Sequence, residues 1–410
     1  MKTIGIIAEY NPFHNGHAYQ IKKAKELTGA DYCIIAMSGD FVQRGAAAVT
    51  DKYCRARMAL QNGADLVCEL PVLYSTASAE LFGHAGVTLF DRMGCIDTLC
   101  FGAESDNLTA FTHLAEILIE EPVSYRKSLQ QQLKNGASFP TARSKAISEC
   151  LGDDSAATLL LEPNNILAVE YLKALKRRDS GITPLLIPRK KSHYHDTVLN
   201  GDFSSATAIR HAIFEKNFPE NLCQSIPENC YLTLKSLHQS HQLMDTEDFS
   251  AMLIYRLLSE TTEGLAGYGD CSMELANRIQ RLLPQYASFE QFCTLCKSRD
   301  ITYTRMSRIL IHILLGLRQD IYKIGKEQDY IPYVRILGFR ESATPLLTKL
   351  KDRTEIPLIT RVTRDSSLLP DAAREIFSRD VFASELYDQV LAMRIGRERY
   401  SEYCRQPILL

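Results

Sequence analysis

Short apolar runs alternate with longer helical segments through the first two hundred residues of the chain. A run that is apolar throughout indicates a strand buried on both faces, and helices of about 10 to 15 residues between such strands indicate crossover connections. The sequence therefore predicts an α/β fold built on a parallel sheet. The predicted strands lie at 3–8, 32–37, 65–69, 98–101 and 184–188.

The rest of the chain is mostly helical in pattern. Residues from about 107 to 160 are more polar and carry no strand pattern, which predicts a helical insertion. Beyond about Asn217 the pattern is again helical, apart from a predicted short strand at 335–337. Because 410 residues are too many for one ordinary core, we expect two domains, residues 1–220 with the sheet and residues 221–410, mostly helical.

Composition excludes several classes of protein. The formal charge of −2, from 47 Lys and Arg against 49 Asp and Glu, leaves any nucleic-acid partner to a local basic surface. No stretch reaches the roughly 20 apolar residues of a spanning helix, and the first apolar run is too short for a signal peptide. The twelve scattered cysteines favour buried free thiols over disulfides. We therefore expect a cytoplasmic protein with no membrane segment.

The strongest chemical signal is the turn between the first strand and the first helix, which contains His14, Gly16 and His17. Ligands of open parallel sheets bind beyond the carboxyl ends of the strands, and a helix N-terminus there favours phosphate. Gly16 has no Cβ and lets a nucleotide approach the backbone, while both imidazoles can donate hydrogen bonds to phosphoryl oxygens. The alternative is a pair of surface histidines in a polar turn, but their position at the ligand edge favours a site.

The residues from His14 to His17 resemble the HxGH signature of the nucleotidyltransferase superfamily. A longer set of segments is similar to the bacterial tRNA(Met) cytidine acetate ligase family and spans about the first 215 residues in order. The remainder is similar more loosely, around 303–305 and 333–339. The segments that carry the resemblance are 9–17, 37–45, 55–60, 63–67, 69–71, 101–102, 163–167 and 204–210.

This resemblance implies an ATP-dependent ligase that works in two steps. Acetate attacks the α-phosphate of ATP, which gives acetyl-adenylate and pyrophosphate. The acetyl group then passes to N4 of the wobble cytidine, C34, of elongator tRNA(Met), which gives N4-acetylcytidine. The implied fold is a Rossmann-like nucleotidyltransferase domain followed by a helical domain that is a candidate for tRNA binding. We also expect Mg²⁺, because a triphosphate leaving group usually needs a divalent counter-charge.

The resemblance also implies site residues, with His14 and His17 as the catalytic pair that stabilises the transition state at the α-phosphate. The segment 204–210 resembles the superfamily's ISSTxxR motif, but Ser204 stands in place of the usual Ile and Ala206 in place of the second Ser. A plain N-capped helix is the alternative there. The expected ATP contacts are Ile7, Ala8, Glu9, Tyr10, Asn11, Pro12, Phe13, His14, Asn15, Gly16, His17, Gln20, Gly102, Asn164, Asn165, Arg189, Ser205, Thr207 and Arg210.

Which of Asn164 and Asn165 contacts the nucleotide stays open, and helix capping after Pro163 is the alternative for both. Asp40 and Arg44 follow the second strand, where Asp40 could orient a histidine or bind Mg²⁺ and Arg44 could hold phosphate or the acceptor. Loop solvation is the alternative for each of them.

Basic and aromatic side chains at several places are candidates for tRNA contacts, although a solvated surface is the alternative for each cluster. One CxxC pair, Cys293 and Cys296, is too little for a zinc site, so we expect no structural zinc. The candidate tRNA residues are Lys52, Arg55, Arg57, Lys190, Lys191, Tyr194, Arg305 and Arg308.

Two other functions share parts of this pattern. A small-molecule adenylyltransferase of the pantetheine-phosphate type would use the same histidine motif without RNA. A non-catalytic RNA-binding protein would bind ATP only as a ligand. The range of acyl donors, the selection of the wobble cytidine and the oligomeric state are not set by the residues.

Overall fold

The computed structural model describes residues 1–137, 139–152, 159–189, 199 and 201–410. The predicted tRNA contacts Lys190, Lys191 and Tyr194 lie outside these residues. No helix in the described ranges is long and apolar enough to span a membrane. All twelve cysteines are free thiols, most of them buried, as predicted.

A mixed sheet forms the centre of the molecule, with strand order β10-β8-β5-β2-β1-β6-β7 and β9 paired with β8. The five strands from β5 to β7 in this order are parallel, which confirms the predicted α/β fold. The strands are β1 Thr3–Ala8, β2 Tyr32–Ser38, β3 Phe41–Val42, β4 Ala46–Ala47, β5 Leu66–Leu70, β6 Thr98–Ala103, β7 Thr183–Pro188, β8 Val334–Phe339, β9 Leu358–Ile359 and β10 Ile408–Leu409.

Helices cover both faces of the sheet and make up most of the C-terminal half. The helices are α1 Asn15–Thr28, α2 Lys52–Gln61, α3 Val72–Ser75, α4 Ala79–Met93, α5 Leu108–Glu120, α6 Val123–Lys134, α7 Phe139–Leu151, α8 Pro163–Arg177, α9 Ala206–Ile213, α10 Glu228–Gln239, α11 Ser250–Ser259, α12 Thr262–Ala266, α13 Met273–Leu282, α14 Phe289–Cys296, α15 Tyr303–Leu315, α16 Gln319–Glu327, α17 Thr344–Arg353, α18 Val362–Asp365 and α19 Asp371–Ile395.

The central strands are buried on both faces, which is why they are apolar without alternation. Ile4 in β1 and Ile34 in β2 have no exposed surface. Cys33 and Ile35, which point to the opposite face of β2 from Ile34, have none either. Helix α4 packs closely against β1 at Gly5. A Cβ atom on this residue would come within 2.7 Å of the ring of Phe90, which belongs to α4. This close packing fixes the strand whose carboxyl end carries the histidine turn.

Strands from the C-terminal half extend the sheet. The short strand predicted at 335–337 lies within β8, which pairs antiparallel with β5 so that Glu69 faces Arg335. Strand β10 then pairs with β8 in parallel. Residues from 1–220 and from 221–410 therefore share one sheet.

A buried group of charges joins β5, α2, β8 and the C-terminal segment. Lys52 Nζ lies 2.8 Å from Glu69 Oε2 and 2.7 Å from Glu402 Oε1, and Arg335 Nε lies 3.1 Å from Glu69 Oε2. Each of these four side chains is at most 4% exposed. The prediction that Lys52 contacts tRNA is therefore wrong, because its ammonium group is buried between two carboxylates.

Candidate functional site

The turn after β1 places both histidines at the start of α1. His14 is the N-cap residue, with extended backbone (φ −143°), and its Nδ1 accepts a hydrogen bond from the Gly16 amide at 3.1 Å. In return, His17 Nδ1 accepts a hydrogen bond from the His14 amide at 3.2 Å. This reciprocal cap satisfies two backbone donors that the first turn of a helix leaves free. The same residues therefore cap the helix and form the candidate catalytic pair.

The two imidazole rings are stacked, with centroids 3.6 Å apart and planes at 21°. Because both Nδ1 atoms accept amide hydrogens, the proton of each neutral ring is on Nε2. Burial lowers the pKa of His14 to about 3, helped by the charges of Arg189 and Arg210. Burial likewise lowers the pKa of His17 well below its usual range, helped by His14 and Arg189. The pair therefore presents two neutral Nε2–H donors.

We expect both rings to stay neutral Nε2–H tautomers from pH 5 to 8 in the ligand-free protein. A histidine with ordinary pKa, near 6.5, would become protonated within that interval, whereas a lowered pKa puts the protonation below it. Long-range ¹H–¹⁵N correlation spectra of ¹⁵N-histidine protein measure this directly. Titration of His14 or His17 above pH 5 would contradict the expectation.

A cavity of about 330 Å³ opens in front of the histidine pair, at the carboxyl ends of β1 and β6. It brings together most of the predicted ATP contacts and Arg44. Its lining includes Ile7, Ala8, Glu9, Tyr10, Asn11, His14, His17, Gln20, Arg44, Gly102, Asn164, Arg189, Ser205, Thr207 and Arg210. Gly16 lines a smaller adjoining cavity together with His14, His17, Gly102 and Arg189.

Some predicted ATP contacts do not line this cavity. Phe13 is fully buried in the core below the turn. Asn15 points the other way, since its amide nitrogen donates to the carbonyls of Asp202 and Gln224 at 3.1 and 2.8 Å. Pro12 is buried as well. These residues hold the turn in place.

One end of the cavity is apolar and aromatic, and no sequence pattern indicates it. Phe82 on α4 and Tyr171 on α8 line it, together with Phe101, whose ring centroid lies 5.7 Å from that of Tyr171. Thr304, at the start of α15, lines the same cavity from the C-terminal half. An aromatic residue on the buried face of a helix has the same pattern whether it packs in the core or lines a cavity.

The N-terminus of α9 forms the second polar wall. Ser205 caps the helix, with Oγ accepting from the Ala208 amide at 3.0 Å, so the capping alternative is correct for this hydroxyl. Arg210 Nη1 donates to the Asn11 carbonyl at 2.8 Å and Nη2 to Thr207 Oγ1 at 3.1 Å. A helix N-terminus with a fixed guanidinium and hydroxyl beside it is a suitable site for a phosphate group.

The two neighbouring asparagines have different positions. Asn164 lines the cavity, and its Nδ2 donates to Glu104 Oε1 at 2.5 Å. Asn165 is 2% exposed, and its Oδ1 accepts the amides of Glu104 and Ser105 at 2.9 and 3.4 Å. The N-cap of α8 is Glu162, so neither asparagine caps the helix. Asn164 is therefore the candidate for nucleotide contact, while Asn165 holds the loop that follows β6.

We expect alanine at Asn164 to weaken ATP binding and alanine at Asn165 to lower the stability of the fold. Asn164→Ala should raise the Kd for ATP about 5- to 10-fold, because one hydrogen bond contributes about 1 kcal/mol, and should leave stability nearly unchanged. Asn165→Ala should lower the free energy of unfolding by about 1–3 kcal/mol, because two buried amides lose their acceptor. Calorimetric ATP titration and urea unfolding of both variants distinguish them. A larger loss of stability in Asn164→Ala would contradict this assignment.

Below the cavity, Arg55 connects the ends of two strands. Its guanidinium is fully buried and donates from Nη1 to the Glu9 carbonyl at 2.7 Å and to the Ser38 carbonyl at 3.0 Å. Its Nε donates to the Thr50 carbonyl at 3.0 Å. The prediction that Arg55 contacts tRNA is wrong, because this cation is enclosed by backbone carbonyls.

Asp40 is buried as well, and its Oδ1 accepts the Lys52 amide at 2.7 Å. Burial raises the pKa of Asp40, and the nearby charges of Lys52 and Arg55 oppose that effect. Its carboxylate thus fixes the start of α2. Among the described residues it hydrogen-bonds this amide and neither histidine, so that predicted role is not supported.

The described residues contain no group of three or more His, Cys, Asp or Glu side chains that could hold a metal ion. Within them, the cavity lining contains the guanidinium groups of Arg44, Arg189 and Arg210 and a single carboxylate, that of Glu9. This donor set does not fit a resident Mg²⁺, which prefers several oxygen ligands of negative charge. The predicted role of Asp40 in Mg²⁺ binding has no support in this geometry.

Of the predicted tRNA residues, Arg57 and Arg305 lie at the surface, whereas the side chain of Arg308 is 13% exposed. Arg57 is exposed on α2. Arg305 and Arg308 lie on α15 next to Thr304, and both pair with Asp270, at 3.2 and 3.5 Å. Two cations beside one carboxylate leave a positive surface near the cavity opening. These residues stay candidates for phosphate contacts.

Comparisons with known proteins agree with this geometry. The sequence model of a family described as HIGH Nucleotidyl Transferase matches residues 1–402. A protein named tRNA(Met) cytidine acetate ligase from Thermoanaerobacter sp. (strain X514) is 42% identical over 388 residues, with 94% of this chain and 95% of the relative covered. A protein of the same name from Acetivibrio thermocellus is 33% identical over 415 residues, with both chains fully covered.

Two crystal structures of Thermotoga maritima TmcAL are similar over the full length of both chains at 30% identity. The apo structure has a TM-score of 0.93. The structure described as bound with alpha-thio ATP has a TM-score of 0.91. The similarity thus includes the C-terminal half as well as the sheet and its cavity.

Proposed function

The chain belongs to the tRNA(Met) cytidine acetate ligases of the HIGH nucleotidyl transferase family, and from this premise we propose that it uses ATP to join acetate to a cytidine of tRNA(Met). The observation that supports this proposal best is the pair of neutral Nε2–H donors in a cavity lined by three guanidinium groups. Such a site suits a triphosphate whose α-phosphorus is attacked by a carboxylate.

In the first step, an acetate oxygen bonds to the α-phosphorus and the bond to the bridging oxygen of pyrophosphate breaks. Acetate is already a nucleophile at pH 7, so the step needs alignment and neutralisation of charge rather than a base. His14 and His17 would donate from Nε2 to the α-phosphoryl oxygens, whose charge rises in the transition state. Thr207 and Arg210 would hold the leaving pyrophosphate at the N-terminus of α9.

The nucleoside would lie against Gly102 and Arg189, where the two cavities share a wall. Mg²⁺ would enter bound to the phosphates of ATP, because three of the four charged side chains around the cavity, those of Arg44, Arg189 and Arg210, are cationic. The candidate surface for the tRNA backbone is the one formed by Arg305 and Arg308 at the cavity opening. A tRNA substrate also implies a cytoplasmic location.

The test is to incubate the purified protein with ATP, Mg²⁺, ¹³C-acetate and transcribed elongator tRNA(Met), digest the RNA and measure acetylated cytidine by mass spectrometry. A transcript with uridine at position 34 is the matched control. We expect label in N4-acetylcytidine from the first transcript and none from the second. Absence of label, together with pyrophosphate release that depends on a small acceptor instead of tRNA, would favour a small-molecule adenylyltransferase.

A further inference from the structure

The second step of the proposed reaction releases a proton that some group must accept. The exocyclic amine attacks the acetyl carbonyl carbon of acetyl-adenylate, a C–N bond forms and the C–O bond to the AMP phosphate breaks. The amine of cytosine is a weak nucleophile because its lone pair is delocalised into the ring. Removal of its proton during attack therefore matters, and a positioned base typically contributes about 10²- to 10⁴-fold to such a step.

Neither histidine can take this proton as it stands. Each Nδ1 already accepts a backbone amide, and each Nε2 carries the hydrogen that faces the cavity. Protonation of His14 or His17 would break the cap of α1 and add a positive charge beside Arg189. The pair is suited to donate hydrogen bonds and unsuited to accept a proton.

Glu9 is the one carboxylate among the described residues that line the nucleotide cavity. It directly follows β1, and its Oε1 accepts the Gln43 amide at 3.0 Å, which fixes the side chain. The charged and titratable groups that interact with it are Arg44, Arg210 on α9 and Tyr171 on α8. The guanidinium groups of Arg44 and Arg210 line the same cavity as this carboxylate, and a carboxylate oxygen is a suitable acceptor for a proton.

Glu9 also lines a second cavity, of about 590 Å³, which shares Asn11, Arg44, Thr207 and Arg210 with the first. The lining of the second cavity combines apolar residues such as Val42, Val49 and Met244 with the carboxylates of Glu215 and Asp245. A carboxylate on the shared wall can face an adenylate on one side and an acceptor amine on the other.

We infer that Glu9 is the general base of the acetyl-transfer step, an assignment that rests on the proposed function. The proton leaves the attacking amine nitrogen for a Glu9 carboxylate oxygen as the C–N bond forms. AMP departs with the electron pair of the broken C–O bond. Glu9 has no such task in the first step, because acetate brings no proton to remove.

The two steps can be measured separately with Glu9→Gln, which keeps the shape of the side chain and an oxygen for the Gln43 amide. Acetate-dependent exchange of pyrophosphate into ATP reports the first step and should fall far less than transfer does. Single-turnover transfer from enzyme-bound ¹⁴C-acetyl-adenylate to tRNA should fall at least about 10²-fold. Hydroxylamine, a strong nucleophile that needs no base, should take the acetyl group equally well from both proteins. Glu120→Gln, an exposed carboxylate at the end of α5, is the control for removing a charge.

Three results would overturn this inference. If Glu9→Gln transferred acetyl at the wild-type rate, the proton acceptor would be a substrate phosphate or water instead of Glu9. An equal fall in exchange and transfer would make Glu9 a nucleotide-binding residue. Formation of acetyl hydroxamate by the wild-type protein without any transfer to tRNA would refute the proposed function itself, and the role of Glu9 with it.

Discussion

Replacing His14 or His17 with alanine is expected to lower the rate of acetyl-adenylate formation by about 10²- to 10³-fold. Each ring supplies one preorganised Nε2–H donor in a site shielded from water, and no other described side chain occupies the same place. The measurement is acetate-dependent exchange of labelled pyrophosphate into ATP. Because the two rings are stacked and share a cap, the double variant should lose less than the product of the single losses.

His14→Asn separates the two tasks of His14. Asparagine is a good N-cap, so this variant should keep the stability of α1 while removing the donor that faces the cavity. We expect it to unfold at the wild-type urea concentration and to be as slow as His14→Ala in exchange. His113→Ala, on the exposed side of α5, should leave exchange unchanged. Near wild-type exchange by His14→Asn would show that His14 contributes only by capping the helix.

Lys52→Met is expected to destabilise the protein by about 3–5 kcal/mol. The change leaves Glu69 and Glu402 buried with Arg335 as the single remaining counter-charge, and removing one partner of a buried ion pair leaves an uncompensated charge. Urea unfolding measures the loss. Arg57→Met is the matched control, because it removes an exposed cation from the same helix and should change stability by no more than about 0.5 kcal/mol.

The same group of charges predicts how stability depends on pH. Burial raises the pKa of Glu402, but Lys52 and Arg335 outweigh burial and lower that pKa from 4.5 to about 2. A carboxyl with a lowered pKa in the folded protein stabilises the fold above its ordinary pKa and loses this contribution as the pH falls through the folded value. Stability should therefore decrease between about pH 4.5 and 2. In Glu402→Gln the free energy of unfolding should decrease less steeply over this pH range. A decrease as steep as that of wild type would contradict the assignment.

Much of the sheet could be predicted from the sequence, because a strand buried on both faces is apolar throughout. Strands β1, β2, β5, β6 and β7 lie where the apolar runs are. The pairing of β8 with β5 could not be predicted, because the sequence of a short strand does not indicate its partner strand. That partner is chosen by Glu69 opposite Arg335 and by the packing of residues distant in sequence.

The site was predictable only in part. The histidine turn was predicted from its position between a strand and a helix, and the N-terminus of α9 from the resemblance of residues 204–210 to the ISSTxxR motif. The roles of Lys52 and Arg55 were mistaken, because a basic residue at the start of a helix has the same sequence pattern whether it is solvated or buried. Asn164 and Asn165 could be separated only once the rotation of α8 was known.

The shared sheet also sets the order in which a newly made chain can become an enzyme. The histidine turn is among the first parts to leave the ribosome. The edge of β5 that faces away from β2, however, has no partner strand until β8 is made. Lys52 gains its second carboxylate only with Glu402, and β10 is later still. A chain interrupted before β8 would therefore contain the complete histidine motif in an incomplete sheet. We expect such a truncated product to be inactive and easily degraded, and not to consume ATP as a partial enzyme.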